Sequence, residues 1–151
     1  MGAEYLNVDV EVRSHADLAP LRDQLGDSVD LMFCGETSPG EFLLTFERHA
    51  ADLADPNPDK TAIALCKLIE HLHGPAKQLW DSAEDRVFDV GFEAVSDVRC
   101  GRNLLSAETM LRIARLNARL AISVYTHSQP AAAACHDDKE RSKTSDKKQS
   151  K

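Results

Sequence analysis

An α+β fold, with one sheet covered by helices on one face, is what this sequence predicts, and two patterns predict it. In residues 5–13 and 86–94 apolar and polar residues alternate. Leu6, Val8, Val10 and Val12 are set against Asn7, Asp9, Glu11 and Arg13, and Phe88, Val90 and Phe92 against Asp89, Gly91 and Glu93. Successive side chains on a strand point to opposite sides, so each stretch reads as a strand with one wet face. Between and after them, apolar residues recur at helical spacing between capping and breaking residues. A sheet of such strands has an apolar face for helices and an acidic face left to water, a ligand or a partner.

The first strand gives way to a helix whose cap is Asp17, ahead of Pro20, with Leu18, Leu21 and Leu25 on one side and Gly26 closing it. Residues 29–35 and 41–48 form a hairpin joined by a turn-rich connection, Glu36-Thr37-Ser38-Pro39-Gly40. In its second strand Phe42, Leu44 and Phe46 take the buried face, and Thr45 and Glu47 the wet one. Asn57 followed by Pro58 starts the clearest helix, with the cap first and proline at the first helical position. Ala62, Leu65, Cys66, Ile69 and Leu72 form its stripe, which ends at Gly74-Pro75. A helix from Pro75 then carries Ala76, Leu79, Trp80 and Ala83 on one side, a spacing that makes Trp80 a core residue more readily than a partner anchor. After the strand near Arg86 comes a polar loop over 95–103. Ser106 caps the last helix, whose apolar side is Met110, Ile113, Leu116 and Leu120, with Leu105 stapled to Met110. A strand over 121–126 ends the globular domain, residues 1–127, and the polar composition of 128–151 predicts a disordered tail. The order strand, helix, strand, strand, helix pair, strand is that of a ferredoxin-like split βαβ unit (β-α-β-β-α-β), here extended by a C-terminal helix and strand.

With 151 residues, 42% hydrophobic and 28% charged, the chain has the composition of one ordinary soluble domain. No apolar run approaches the roughly 20 residues of a membrane span, and the first residues lack the basic-then-apolar order of a secretion signal, which points to the cytoplasm. Cys34, Cys66, Cys100 and Cys135 have no short-spaced partner, so neither a metal pair nor a disulfide framework is expected. Residues 128–151 hold six Lys or Arg and four acidic residues, leaving 12 basic and 21 acidic in residues 1–127, a charge of −9. Such a body repels phosphate backbones, so nucleic acid is not an expected partner, whereas basic protein surfaces and cations are.

Candidate sites follow from the wet face. Asp9, Glu11, Glu47, Asp89 and Glu93 share the polar phase of three predicted strands, and strands roughly 5 Å apart can bring facing carboxylates together. Gathered, they form a partner-binding surface, or, taking Asp9, Glu11, Glu47 and Asp89 alone, oxygen ligands for a divalent metal. Spread out, they are solvating charges offset by Arg13, Arg48 and Arg86. His71 and His73 stand two apart on a helix and face different ways, and no HExxH spacing occurs. His49 and His127 each end a strand, and Cys100 lies between Arg99 and Arg102 without a positioned base. No glycine-rich phosphate loop is present, and no cofactor is implied.

The set formed by residues 6–12, Leu79-Trp80-Asp81, residues 86–92 and residues 122–126 resembles that of a group of small uncharacterised bacterial proteins, over residues 4–127. The resemblance implies no activity and no site residues. In size and acidity the chain is also similar to bacterial toxin-immunity proteins, which act by masking a toxin. The expectation is therefore a non-enzymatic cytosolic binding protein that engages a basic protein, or a second copy of itself, through its acidic sheet face or loop 95–103. A divalent-metal-dependent hydrolase on the carboxylate cluster is the alternative.

Overall fold

The computed structural model describes residues 2–49, 54–55, 57–95 and 102–126. Its elements are β1 (Gly2–Ser14), α1 (Ala19–Leu25), a 3₁₀ turn (Gly26–Ser28), β2 (Val29–Ser38), β3 (Glu41–Arg48), α2 (Pro58–Glu70), α3 (Gly74–Ser82), β4 (Asp85–Val95), α4 (Ala107–Arg115) and β5 (Arg119–Thr126). The fold is α+β, with four helices and one open sheet in the order β2-β3-β1-β4-β5. The sheet is mixed: its first four strands pair antiparallel, and β5 runs parallel to β4.

Alternation does set which face is buried. Val8, Val10, Val12, Leu44, Phe46, Phe88 and Val90 are all within a few per cent of complete burial, packed with Leu21, Leu65, Cys66, Ile69 and Trp80 from the helices. Burial holds the Cys66 thiol up at about 12, so it behaves as a small apolar side chain. α2 starts as its sequence dictates, with Asn57 Oδ1 accepting from the Lys60 amide at 3.0 Å and Pro58 behind it. The indole of Trp80 is buried and donates to the Leu116 carbonyl at 3.1 Å.

Four local expectations are corrected. Leu6 does not join the buried row: the β1–β4 register slips between Tyr5 and Asn7, and this bulge leaves Leu6 46% exposed while Tyr5 turns toward the helices. There Tyr5 donates to Thr61 Oγ1 at 2.9 Å and meets Phe92 edge-on. The hairpin connection is shorter than five residues, because β2 continues to Ser38 and the chain reverses at Pro39-Gly40, with Gly40 at φ 76°. Met110 and Leu120 are half exposed rather than part of the core, since α4 stops at Arg115 and the chain turns through Asn117 at φ 53° before β5. Asn tolerates that left-handed conformation better than most residues, so it is the sequence signal for this break. Finally, Arg86 does not offset the carboxylates. It shares the phase of Phe88, is buried, and donates to the carbonyls of Trp80 (2.6 Å), Ala83 (2.9 Å), Asp81 (3.3 Å) and Asn117 (3.0 Å). The carbonyls at a helix C-terminus lack partners within the helix and carry partial negative charge, which a guanidinium satisfies with several donors at once.

Lysine keeps the charge at this position but cannot reach both the α3 carbonyls and Asn117. Arg86→Lys should therefore lower unfolding free energy by about 2 kcal/mol, or about 5 °C in Tm. Urea unfolding checks this, and wild-type stability in the variant would show that the clamp is dispensable.

Candidate functional site

On the face opposite the α2 and α3 packing, β1 carries Asn7, Asp9 and Glu11. Asp9 stands directly opposite Glu47 on β3 and Asp89 on β4, so three carboxylates occupy one rung of adjacent strands. Glu11 is one step along, opposite Thr45 and Val87, and its charge still acts on Asp9. Glu93 pairs with Glu4, four residues from Asp89, which is roughly 13 Å along a strand. The sheet thus gathers Asp9, Glu47 and Asp89, keeps Glu11 as a neighbour and sets Glu93 apart.

These side chains are half-buried rather than freely solvated. Asn7 accounts for part of this: its Nδ2 donates to Asp9 Oδ1 at 2.9 Å and to Glu47 Oε2 at 3.0 Å, bridging the two strands. Ser123 on β5 donates to Asp89 Oδ2 at 2.7 Å, while Asp89 Oδ1 is buried and accepts no hydrogen bond. Gly91 makes room for the bridge, because a Cβ there would lie 2.6 Å from Asn7 Oδ1. Burial, the charge of Glu47, a hydrogen bond shared with Glu47, and the charges of Asp89 and Glu11 together push the Asp9 carboxyl from its ordinary 3.8 to about 6. Near neutral pH this carboxyl is therefore close to its own titration point.

The cluster opens into a cleft at the end of the sheet. β3 stops at Arg48 while β1 runs on past it, and a volume of about 530 Å³ lies there, lined by Tyr5, Leu6, Asn7, Val8, Asp9, Met32, Glu47, Arg48, Thr61 and Tyr125. Its acidic floor is bordered by apolar or aromatic side chains, of which Leu6, Met32 and Tyr125 are about half exposed. No His, Cys or Lys among the described residues lines it. Among the described residues, no group of three or more His, Cys, Asp or Glu side chains is arranged to hold a metal ion.

Among the described residues, Arg48 borders this cleft and His49 does not. His49 binds the Asp27 carbonyl at 2.7 Å and pairs with Asp30 at 2.5 Å, at the start of β2. Arg48 reaches the Ser28 carbonyl at 3.0 Å. His127, Cys100, residues 96–101 of the polar loop and the tail lie outside the described residues. Leu6, Met32 and Tyr125 in the cleft, and Ser123 beside Asp89, are the residues that alternation does not identify as a site, since a bulge or a strand pairing brings each one in. Gly91 was the available signal, because a glycine inside an alternating strand marks a close approach. Comparison with protein-family models, with curated proteins and with solved structures finds no match for this chain.

Two outcomes follow. A carboxyl whose pKa is higher in the folded than in the unfolded chain favours folding in its protonated form, so its contribution is full below about pH 4 and is lost as pH rises through about 6. Asp9→Asn should then stabilise the protein by about 1 kcal/mol at pH 8, after allowance for solvent screening, and by almost nothing at pH 4. Equal effects at both pH values in denaturant titrations would rule out the strained carboxyl. Gly91→Ala should displace Asn7 and cost about 1–2 kcal/mol, and a neutral result by the same assay would mean that Asn7 is not held in place.

Proposed function

We propose that this chain is a non-enzymatic, cytosolic binding protein that seats a basic side chain of a partner protein in the cleft at Asp9. One observation carries the reading: a half-buried carboxyl is held on one rung with two others, at the floor of an open cleft bordered by Leu6, Met32 and Tyr125 as well as by Arg48. A lysine or arginine has the matching chemistry, since its charged end pairs with carboxylates while its aliphatic stem lies against apolar surface. Leu6 and Met32 supply that surface, and the Tyr125 ring adds a face that attracts cations. The −9 charge of residues 1–127 would speed the encounter with a basic surface. Masking of such a surface, as an immunity-type protein does, is one form this takes.

In the same reading, the first four strands form a ferredoxin-like split βαβ unit. The order β2-β3-β1-β4 supports it, because β3 lies between the two strands that α1 connects and is antiparallel to both. β5 then adds to this unit at the β4 side.

Binding of a cation should pull the Asp9 proton off. A short Lys- and Arg-containing peptide, titrated by NMR, should shift the resonances of Asn7, Asp9 and Tyr125, and a Glu-containing peptide should not. Its affinity should rise roughly tenfold from pH 5 to pH 7 as the Asp9 carboxyl ionises, and Glu47→Lys should abolish it. Shifts that are absent, or indifferent to pH and to Glu47→Lys, would overturn the proposal.

A further inference from the structure

The two ends of the sheet differ in how they are finished. Both edge strands expose large apolar residues: Leu31, Met32 and Phe33 on β2, and Leu120, Ile122, Val124 and Tyr125 on β5. β2 is guarded in the usual ways, with register irregularities between Leu31 and Phe33 and between Glu36 and Ser38, and with Asp30 and Glu36 along it. β5 has none of these devices. All eight of its residues pair with β4 without a slip, and its one charged residue is Arg119 at the first position. Leu120, Ile122 and Val124 register with Phe88, Val90 and Phe92, so they lie on the face that elsewhere holds the core, yet they are 42%, 66% and 58% exposed.

We propose that β5 is a self-association edge, where two copies pair antiparallel along Arg119–Tyr125 about a two-fold axis at Ile122. The occupant is a second copy because the strand is complementary to itself in that register. Residues directly opposite in an antiparallel pair share a face. Ile122 then meets Ile122, and Leu120 meets Val124 twice, so the exposed apolar row of each copy covers that of the other. On the opposite face Ala121 meets Ser123, and Arg119, whose guanidinium is held by Asp85, meets Tyr125. No carboxylate faces another across this line, which matters for two bodies that each carry −9. The apolar row, Tyr125 and the strand backbone remove roughly 500 Å² per copy from water, near the total of about 1,000 Å² at which specific interfaces begin. The pairing joins two five-stranded sheets into one, and it rests on the edge of the sheet rather than on the cleft reading.

Sedimentation of the full chain from about 1 to 200 μM tests it, a range suited to an interface of this size. The mass should climb from 16.6 kDa toward twice that value. Ile122→Lys should hold it at the monomer value without lowering the melting temperature of dilute protein, since Ile122 is two-thirds exposed. Leu31→Lys on the guarded edge should leave association intact. Hydrogen exchange is the second readout: amides of β5 that do not bond to β4 should slow as concentration rises, which decides the matter if Ile122→Lys fails to fold. A monomer at every concentration, an association that survives Ile122→Lys, one abolished by Leu31→Lys, or concentration-independent exchange along β5 would each overturn the proposal.

Discussion

The buried guanidinium of Arg86 is the contact on which the rest of the arrangement turns. It lies at the start of β4 and holds the last carbonyls of α3 together with the carbonyl of Asn117, where the chain enters β5. One side chain thus fixes where α3 ends, where β4 begins and where β5 is laid down. A charge taken out of water is costly unless its donors are satisfied, and here helix-end carbonyls do that work without a carboxylate partner. Because β5 is set in this way, Ser123 falls beside Asp89 and Tyr125 lies near Gly91. The acidic site is therefore completed by a strand whose position is fixed from the other face of the sheet.

Much of this was legible in the sequence. The parity of β1 and β4 identified the buried row Val8, Val10, Val12, Phe88 and Val90, and Asn57-Pro58 and Ser106 marked their helix starts to the residue. The rung formed by Asp9, Glu47 and Asp89 was also within reach, since all three were in the polar phase. What alternation could not supply was the slip at Leu6. A bulge adds one residue without changing composition, and it turns Tyr5 inward and leaves Leu6 at the mouth of the cleft. Arg86 is a different lesson, because parity placed it with Phe88 while its charge suggested water. Parity won because a long side chain with several donors finds unsatisfied carbonyls inside the fold.

The helix layer and the sheet do not match in width. α2 packs on β1, α1 and α3 pack chiefly on each other, and α4 packs chiefly on α2, touching β5 only lightly. At nine residues, α4 is too short to cover a row that continues to Val124. The sequence gives β5 the same alternation as a covered strand, with Leu120, Ile122 and Val124 in phase, although nothing in the described chain covers them. A row patterned for a core but left outside one is a demand for surface that another chain can meet.

The carboxylate rung presents the complementary problem. Three acids on adjacent strands repel one another, and three nearby arginines hold other groups: Arg86 the helix carbonyls, Arg119 Asp85, and Arg48, which also borders the cleft, the Ser28 carbonyl. Thr or Val at these positions would suit a half-buried strand better, so the chain carries an unfavourable feature in its central strand. Asn7 and the gap left by Gly91 organise that feature instead of dispersing it. An organised, uncompensated charge is relieved when a cation arrives, and the relief adds to the free energy of whatever brings it. That is the physical reason to read the rung as a receptor for positive charge: burial and the repulsion of Glu47, Asp89 and Glu11 raise the Asp9 carboxyl toward neutrality, and a bound ammonium or guanidinium offsets the repulsion.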